Sequence, residues 1–146
     1  MFRKILLPVD GSQSSLKAAR AAGEIARRFE SEVTILHVQH LPAAALAASG
    51  MAAMVTPDGA IAEALDEAAR EALRAARESL GLPGDRVNEK VLLGHPAEVI
   101  CRAAEQGGCD LIAMGSRGLS EVRAFFLGSV SDKVSHHAPC PVLIVR

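Results

Sequence analysis

Tryptophan and tyrosine are absent from this chain, and phenylalanine occurs only four times. A surface so poor in aromatic rings is ill equipped to stack the bases of single-stranded nucleic acid. An excess of one charge is also missing: 16 Lys and Arg against 17 Asp and Glu leave a formal −1, with a pI near 6.5. No global basic field draws such a protein to DNA or to an anionic membrane, so neither is an expected partner. Cysteine is scarce. Cys101, Cys109 and Cys140 are an odd set without C-x-x-C spacing, which argues against both a disulfide framework and a zinc knuckle. Long apolar runs are missing too: the opening carries Arg3 and Lys4, and its short apolar stretch stops at Pro8 and Asp10. That is too short for a signal peptide or a bilayer span. The expectation is a reduced, cytoplasmic protein.

What the chain does contain is ordinary for a soluble globular protein, with 49% hydrophobic and 23% charged residues over 146 positions. That length predicts a single domain, 1–146, with one core. Its 26 alanines predict abundant helix.

Hydrophobic spacing divides the chain into alternating strands and helices. Lys4 to Val9 and the β-branched run Val33 to Val38 read as buried strands. Between them, Leu16, Ala19, Ala22 and Ile25 recur at helical spacing, which predicts a helix over about 13–30 behind the caps offered by Asp10 to Ser15. Residues 41–58 are small and broken by Pro and Gly. Connections of that length are usually functional, and a lid that orders over a ligand is one reading. Ile61, Leu65, Ala68, Ala69, Ala72, Leu73, Ala76 and Leu80 mark a long amphipathic helix ended by Gly81 and Pro83. Val87 to Leu93 is a third strand, and Ala97 to about Gly107 a helix with Val99, Ile100 and Ala103 inward. Asp110 to Met114 is a fourth strand, Ser129 to His137 a helix, and Pro141 to Val145 the last strand.

Strands separated by helices imply a doubly wound α/β fold: five parallel strands, helices on both faces, right-handed crossovers. Ligands of such sheets bind beyond the carboxyl ends of the strands, where the winding reverses. The residues following each strand therefore matter most.

Among them stands Gly115-Ser116-Arg117-Gly118, followed after nine intervening residues by Gly128-Ser129. Glycine lets backbone N–H groups approach an anion, and a helix N-terminus adds partial positive charge. Ser129 adds a hydroxyl, and Arg117, Arg123 and Lys133 are nearby full charges. Each glycine alone is better explained as a strand end, a turn or a cap; together they favour an anion site. The chain has neither G-x-x-x-x-G-K-[ST] nor a G-x-G-x-x-G after its first strand.

With these motifs, the sequence resembles the universal stress protein family over essentially its whole length. The resemblance runs from Lys4-Ile5-Leu6-Leu7-Pro8-Val9-Asp10-Gly11-Ser12, through Gly94-His95-Pro96 and Asp110 to Gly115, to His137-Ala138-Pro139-Cys140-Pro141-Val142-Leu143-Ile144-Val145. The G-x2-G-x9-G-[ST] pattern of that family's ATP-binding branch is matched at Gly115, Gly118, Gly128 and Ser129. The resemblance implies strand order 3-2-1-4-5 and a cytoplasmic stress or signalling protein that binds ATP with Mg. Met114, Gly115, Gly118, Gly128, Ser129 and Val130 would then contact phosphate or ribose. Pro8 and Asp10 would face the adenosine, and the Val38 main chain the adenine. Val9, Ser116 and Arg117 complete the candidate nucleotide-binding set. Magnesium would arrive through the phosphates, since no acidic cluster resembles a metal cage. For Asp10 a turn or cap role stays open, and for Val38 a core role. Slow ATP hydrolysis, and a nucleotide-independent interaction module, are the alternatives; no lysine is placed by motif for efficient phosphoryl transfer.

The apolar last strand, at the sheet edge in that order, is expected to pair two chains into a homodimer; an unknown protein partner is a further expectation. His136, His137 and Cys140 lack a fourth ligand for structural zinc, and the two histidines suit a helix C-terminus. His37 reads as packed; His95, after the third strand, falls near the ligand edge, and a turn before Pro96 explains it equally. Cys140 would sense oxidants only with a lowered pKa. Glu63, Asp66, Glu67, Arg70, Glu71, Arg74 and Arg77 read as a solvated helix face. Phe125-Phe126-Leu127 reads as an anchor for the glycine loop or an exposed partner patch.

Overall fold

The computed structural model describes residues 1–40, 60–119 and 127–146, with side chains from 66 in the second helix. Residues 41–58, Arg123 and Phe125-Phe126, on which expectations were placed, lie outside the described residues. In chain order the elements are β1 (Lys4–Pro8), α1 (Gln13–Phe29), β2 (Glu32–Gln39), α2 (Ala60–Leu80), a 3-10 turn (Gly84–Arg86) and β3 (Val87–Leu93). They continue with α3 (Pro96–Gly107), β4 (Leu111–Gly115), α4 (Ser129–His137) and β5 (Val142–Val145).

All neighbouring strands pair in parallel, in the order β3-β2-β1-β4-β5. The expected strand order holds. Alternation along the strands divides the core into two halves. Ile5, Leu7, Val33, Ile35, Leu111 and Ala113 meet the alanine stripe of α1 and the Ala72, Leu73, Ala76 and Leu80 stripe of α2. On the other face, Leu6, Leu36, Ile112 and Met114 meet Ile100 and Ala104 of α3 and Val134 of α4. Ala68, placed by spacing on the inner stripe of α2, is exposed.

Local chemistry sets the helix ends. Ser12 is the cap that α1 uses: its Oγ accepts from Ser15 N at 3.1 Å, leaving Asp10 one step outside. Pro96 occupies the first turn of α3, where its missing N–H costs nothing, and Gly108 closes that helix in the left-handed conformation. The polar face of α2 carries two charge pairs, Glu67–Arg70 at 3.0 Å and Arg74–Glu78 at 3.9 Å. Arg77 instead reaches across to Glu89 of β3 at 2.6 Å. Exposed pairs of this kind contribute little to stability.

At the amino ends of the strands, Asp110 joins the chain start to β4. Its carboxylate accepts from Arg3 N at 2.9 Å and Lys4 N at 3.0 Å. Burial alone would raise its pKa, but those two N–H donors and the chain's amino terminus outweigh it and hold the carboxyl below its usual value. A depressed folded pKa contributes stability above the unfolded pKa and loses it as pH falls through the folded one. Asp110→Asn is therefore expected to lower urea stability at pH 7, by about 1 kcal/mol for weakened hydrogen bonds to an exposed charge. Its deficit against the wild type should shrink as pH falls below about 4. A deficit that stays constant with pH would assign the loss to packing.

Candidate functional site

Because β1 lies between β2 and β4, the winding reverses at its carboxyl end. Side chains there part to leave a cleft of about 210 Å³. Its apolar wall is Leu36 and Val38 of β2, Pro96 and Ile100 of α3, and Met114 of β4. Polar and backbone groups face it from Asp10, Ser15, Gly115, Arg117 to Leu119 and the start of α4.

Asp10 is held by its own turn. Its Oδ1 accepts from Ser12 N at 3.0 Å, and a Cβ placed on Gly118 would stand 3.0 Å from its Oδ2. The turn role and the cleft position thus belong to one residue: one carboxylate oxygen shapes the entry to α1, and the other lies against the glycine loop. Ser12 Oγ also reaches the Arg117 carbonyl at 3.4 Å, tying the β1 turn to that loop.

Gly115 has a packing reason in addition to the one its motif implied. A Cβ there would lie 2.5 Å from Ser14 Oγ and 2.7 Å from the Ser14 carbonyl carbon. The end of β4 passes so close to the first turn of α1 that only glycine fits. At Gly118 the limit is Asp10.

Eleven of the twelve candidates, Pro8, Val9, Asp10, Val38, Met114, Gly115, Arg117, Gly118, Gly128, Ser129 and Val130, line the cleft. The twelfth, Ser116, does not. It is buried, its N–H donates to the Val145 carbonyl at 2.8 Å, and its own carbonyl accepts from Gly128 N at 2.7 Å and Ser131 Oγ at 2.9 Å. Its backbone is engaged in holding the loop. Lys133, a suggested charge, sits exposed on α4 away from the cleft lining.

Sequence reasoning missed Leu36, Ser15, Pro96, Ile100, Leu119 and Ser131 in the lining. Part of this was signalled. Leu36 shares a strand face with Val38, and Pro96 and Ile100 are one helical turn apart directly after a strand.

The cleft can receive a ligand with an apolar flat part against Leu36, Val38 and Ile100 and an anionic part at the α4 N-terminus. Such an N-terminus carries partial positive charge, and its N-cap, Gly128, has no side chain to occupy it. Arg117 is the one cationic side chain among the described lining residues.

Elsewhere, His136 and His137 end α4, their Nδ1 atoms 2.8 Å from the Asp132 and Lys133 carbonyls. His37 is half-buried with Nδ1 3.0 Å from the Val9 carbonyl. The cysteines are free and half-buried, and burial pushes all three thiols up. Cys140 is raised further by Cys109, Asp110 and Cys101, so its shift runs opposite to that of an oxidant sensor.

Residues 1–146 match the Universal stress protein family. The chain belongs to that family. It is 39% identical over 150 residues to the universal stress protein YxiE of Bacillus subtilis, the alignment covering all of both proteins. Among solved structures it is similar to the universal stress protein UspA from Lactobacillus plantarum, at 27% identity and TM-score 0.77, covering 99% of this chain and 98% of that one. It is also similar to a universal stress protein in complex with cAMP, at 26% identity and TM-score 0.67, covering 99% and 96%. No helix among the described residues is long and apolar enough to cross a membrane.

If Gly115 is set by packing, Gly115→Ala is expected to cost about 1–3 kcal/mol in urea unfolding, the range for overpacking a tight contact. Adding Ser14→Ala should restore only part of it, because the Ser14 backbone carbon stays at 2.7 Å. An unchanged midpoint for Gly115→Ala would mean that β4 and α1 can part freely.

Proposed function

We propose that this protein binds an adenine nucleotide, ATP with Mg, in the cleft at the end of β1, and acts as a homodimeric nucleotide sensor or switch. One observation carries the reading: Asp10, then Gly115, Arg117 and Gly118, and the Gly128-Ser129 start of α4, brought from separate parts of the sequence, border one cleft with an apolar wall. A carboxylate accepts ribose hydroxyls, a helix N-terminus favours phosphate, and an apolar wall with a strand edge accommodates a purine. The family relative in complex with cAMP supports an adenine nucleotide and makes the cyclic form the natural competitor.

The ion would be held mainly by phosphate oxygens and water. Among the described residues no three His, Cys, Asp or Glu side chains are grouped to hold a metal, and Mg²⁺ commonly keeps several waters beside substrate phosphates.

Calorimetric titration of MgATP into nucleotide-stripped protein is expected to give saturable binding at one site per chain. Gly118→Val, which drives a branched side chain towards Asp10, should abolish it. Asp10→Asn should weaken it roughly tenfold to hundredfold, the worth of hydrogen bonds to a charged group. Absence of binding at millimolar MgATP would refute the reading, and tighter binding of cAMP would reassign the nucleotide.

Homodimerisation rests on β5. It is an edge strand whose four apolar residues, Val142 to Val145, are only partly buried. Unprotected edges pair with another chain, and lysine on an edge discourages it. Leu143→Lys is expected to sediment as a monomer with an unchanged far-ultraviolet spectrum, whereas the wild type sediments as a dimer. A monomeric wild type would remove the dimer from the proposal.

A further inference from the structure

The registered pairing of β2 with β3 runs to Gln39↔Leu93, so the next residues leave the sheet side by side. Those residues bring two imidazoles together. The rings of His40 and His95 lie 5.1 Å apart, centre to centre, tilted by 46°. Both residues are exposed.

Two features of the pair fit metal ligation. Two imidazoles bound through nitrogen to one tetrahedral ion, with metal–nitrogen bonds of about 2.0–2.1 Å, place their ring centres roughly 5 Å apart. Independently, His40 Nδ1 lies 3.3 Å from the Gly94 carbonyl oxygen. A carbonyl can only accept, so this contact puts the proton on Nδ1 and leaves the Nε2 lone pair of the neutral ring available. Metal-ligating histidines typically have this outer partner. His95, although it is the N-cap of α3, makes no side-chain cap hydrogen bond.

We infer that His40 and His95 form a two-histidine site for a divalent transition ion, nickel, zinc or copper, at the rim of the cleft. The rim position follows from the chain: Val38, two residues before His40, and Pro96, directly after His95, both line the cleft. No third protein ligand joins the pair among the described residues, so water completes the ion's coordination. Imidazole suits copper, nickel and zinc, and affinity should fall from copper(II) to manganese(II), with magnesium excluded. His136 and His137 do not form an equivalent pair, because consecutive helical residues point apart. The inference is independent of the nucleotide reading.

The test is calorimetric titration of nickel(II) into tag-free full-length protein, followed by zinc(II) titration with the histidine ring signals observed by NMR. One ion per chain is expected. His40→Ala and His95→Ala should each weaken nickel binding roughly tenfold or more, on the scale of changes that disturb a metal-bound histidine. The His136→Ala, His137→Ala variant should bind as the wild type does. Zinc should perturb the ring signals of His40 and His95 and leave those of His37 in place. Absence of saturable binding, or binding that survives both His40→Ala and His95→Ala, would overturn the site. So would binding that disappears in the His136→Ala, His137→Ala variant.

Discussion

The backbone of Ser116 is the junction on which the cleft depends. Its N–H ends the β4–β5 pairing on the Val145 carbonyl, and its carbonyl receives both Gly128 N and Ser131 Oγ from the start of α4. One buried residue therefore fixes the edge strand and the helix N-terminus at once. Buried backbone groups without partners are costly, so displacing any of these elements would strand a donor or an acceptor. Ser14 Oγ reaches the same Val145 carbonyl at 3.3 Å, which adds α1 to the junction. The helix that would receive an anion and the strand proposed to pair two chains are thus joined through three hydrogen bonds.

The two ends of the sheet are built differently. At the amino ends, Asp110 and Ser31 secure the chain start by accepting from Arg3 and Lys4 and donating to the Phe2 carbonyl. Phe2 and Phe29 meet edge to face there, using half of the chain's four phenylalanines. At the carboxyl ends, small and polar residues leave space: Gly115 lets β4 approach α1, and Gly118 makes room for Asp10. The rigid end and the open end follow from where side-chain volume is placed along otherwise similar strands.

Much of this was legible in the sequence because alternation and helical spacing are local patterns. The five strands and four helices among the described residues lie within about two residues of their expected bounds, and the stripe from Ala69 to Leu80 is buried apart from its periodic neighbour Ala68. The cleft was legible in part, since strand ends in a doubly wound sheet converge. Ser116 illustrates the limit. It sits inside the glycine motif, yet its position decides that it supports the loop, a distinction carried by Val145, Gly128 and Ser131 and not by its neighbours.

The sequence by itself determined the alternating order of strands and helices, the near-neutral charge, and the presence of a glycine-bearing loop between a buried strand and a helix. These follow from residue type and spacing alone. Only the tertiary structure decided that Gly115 answers to Ser14, 101 positions earlier in the chain numbering, and that His40 and His95 meet across two strand ends. The reason is geometric. Parallel strands require long crossovers, so the residues that share an end of the sheet are brought together by register and packing, which no local pattern records.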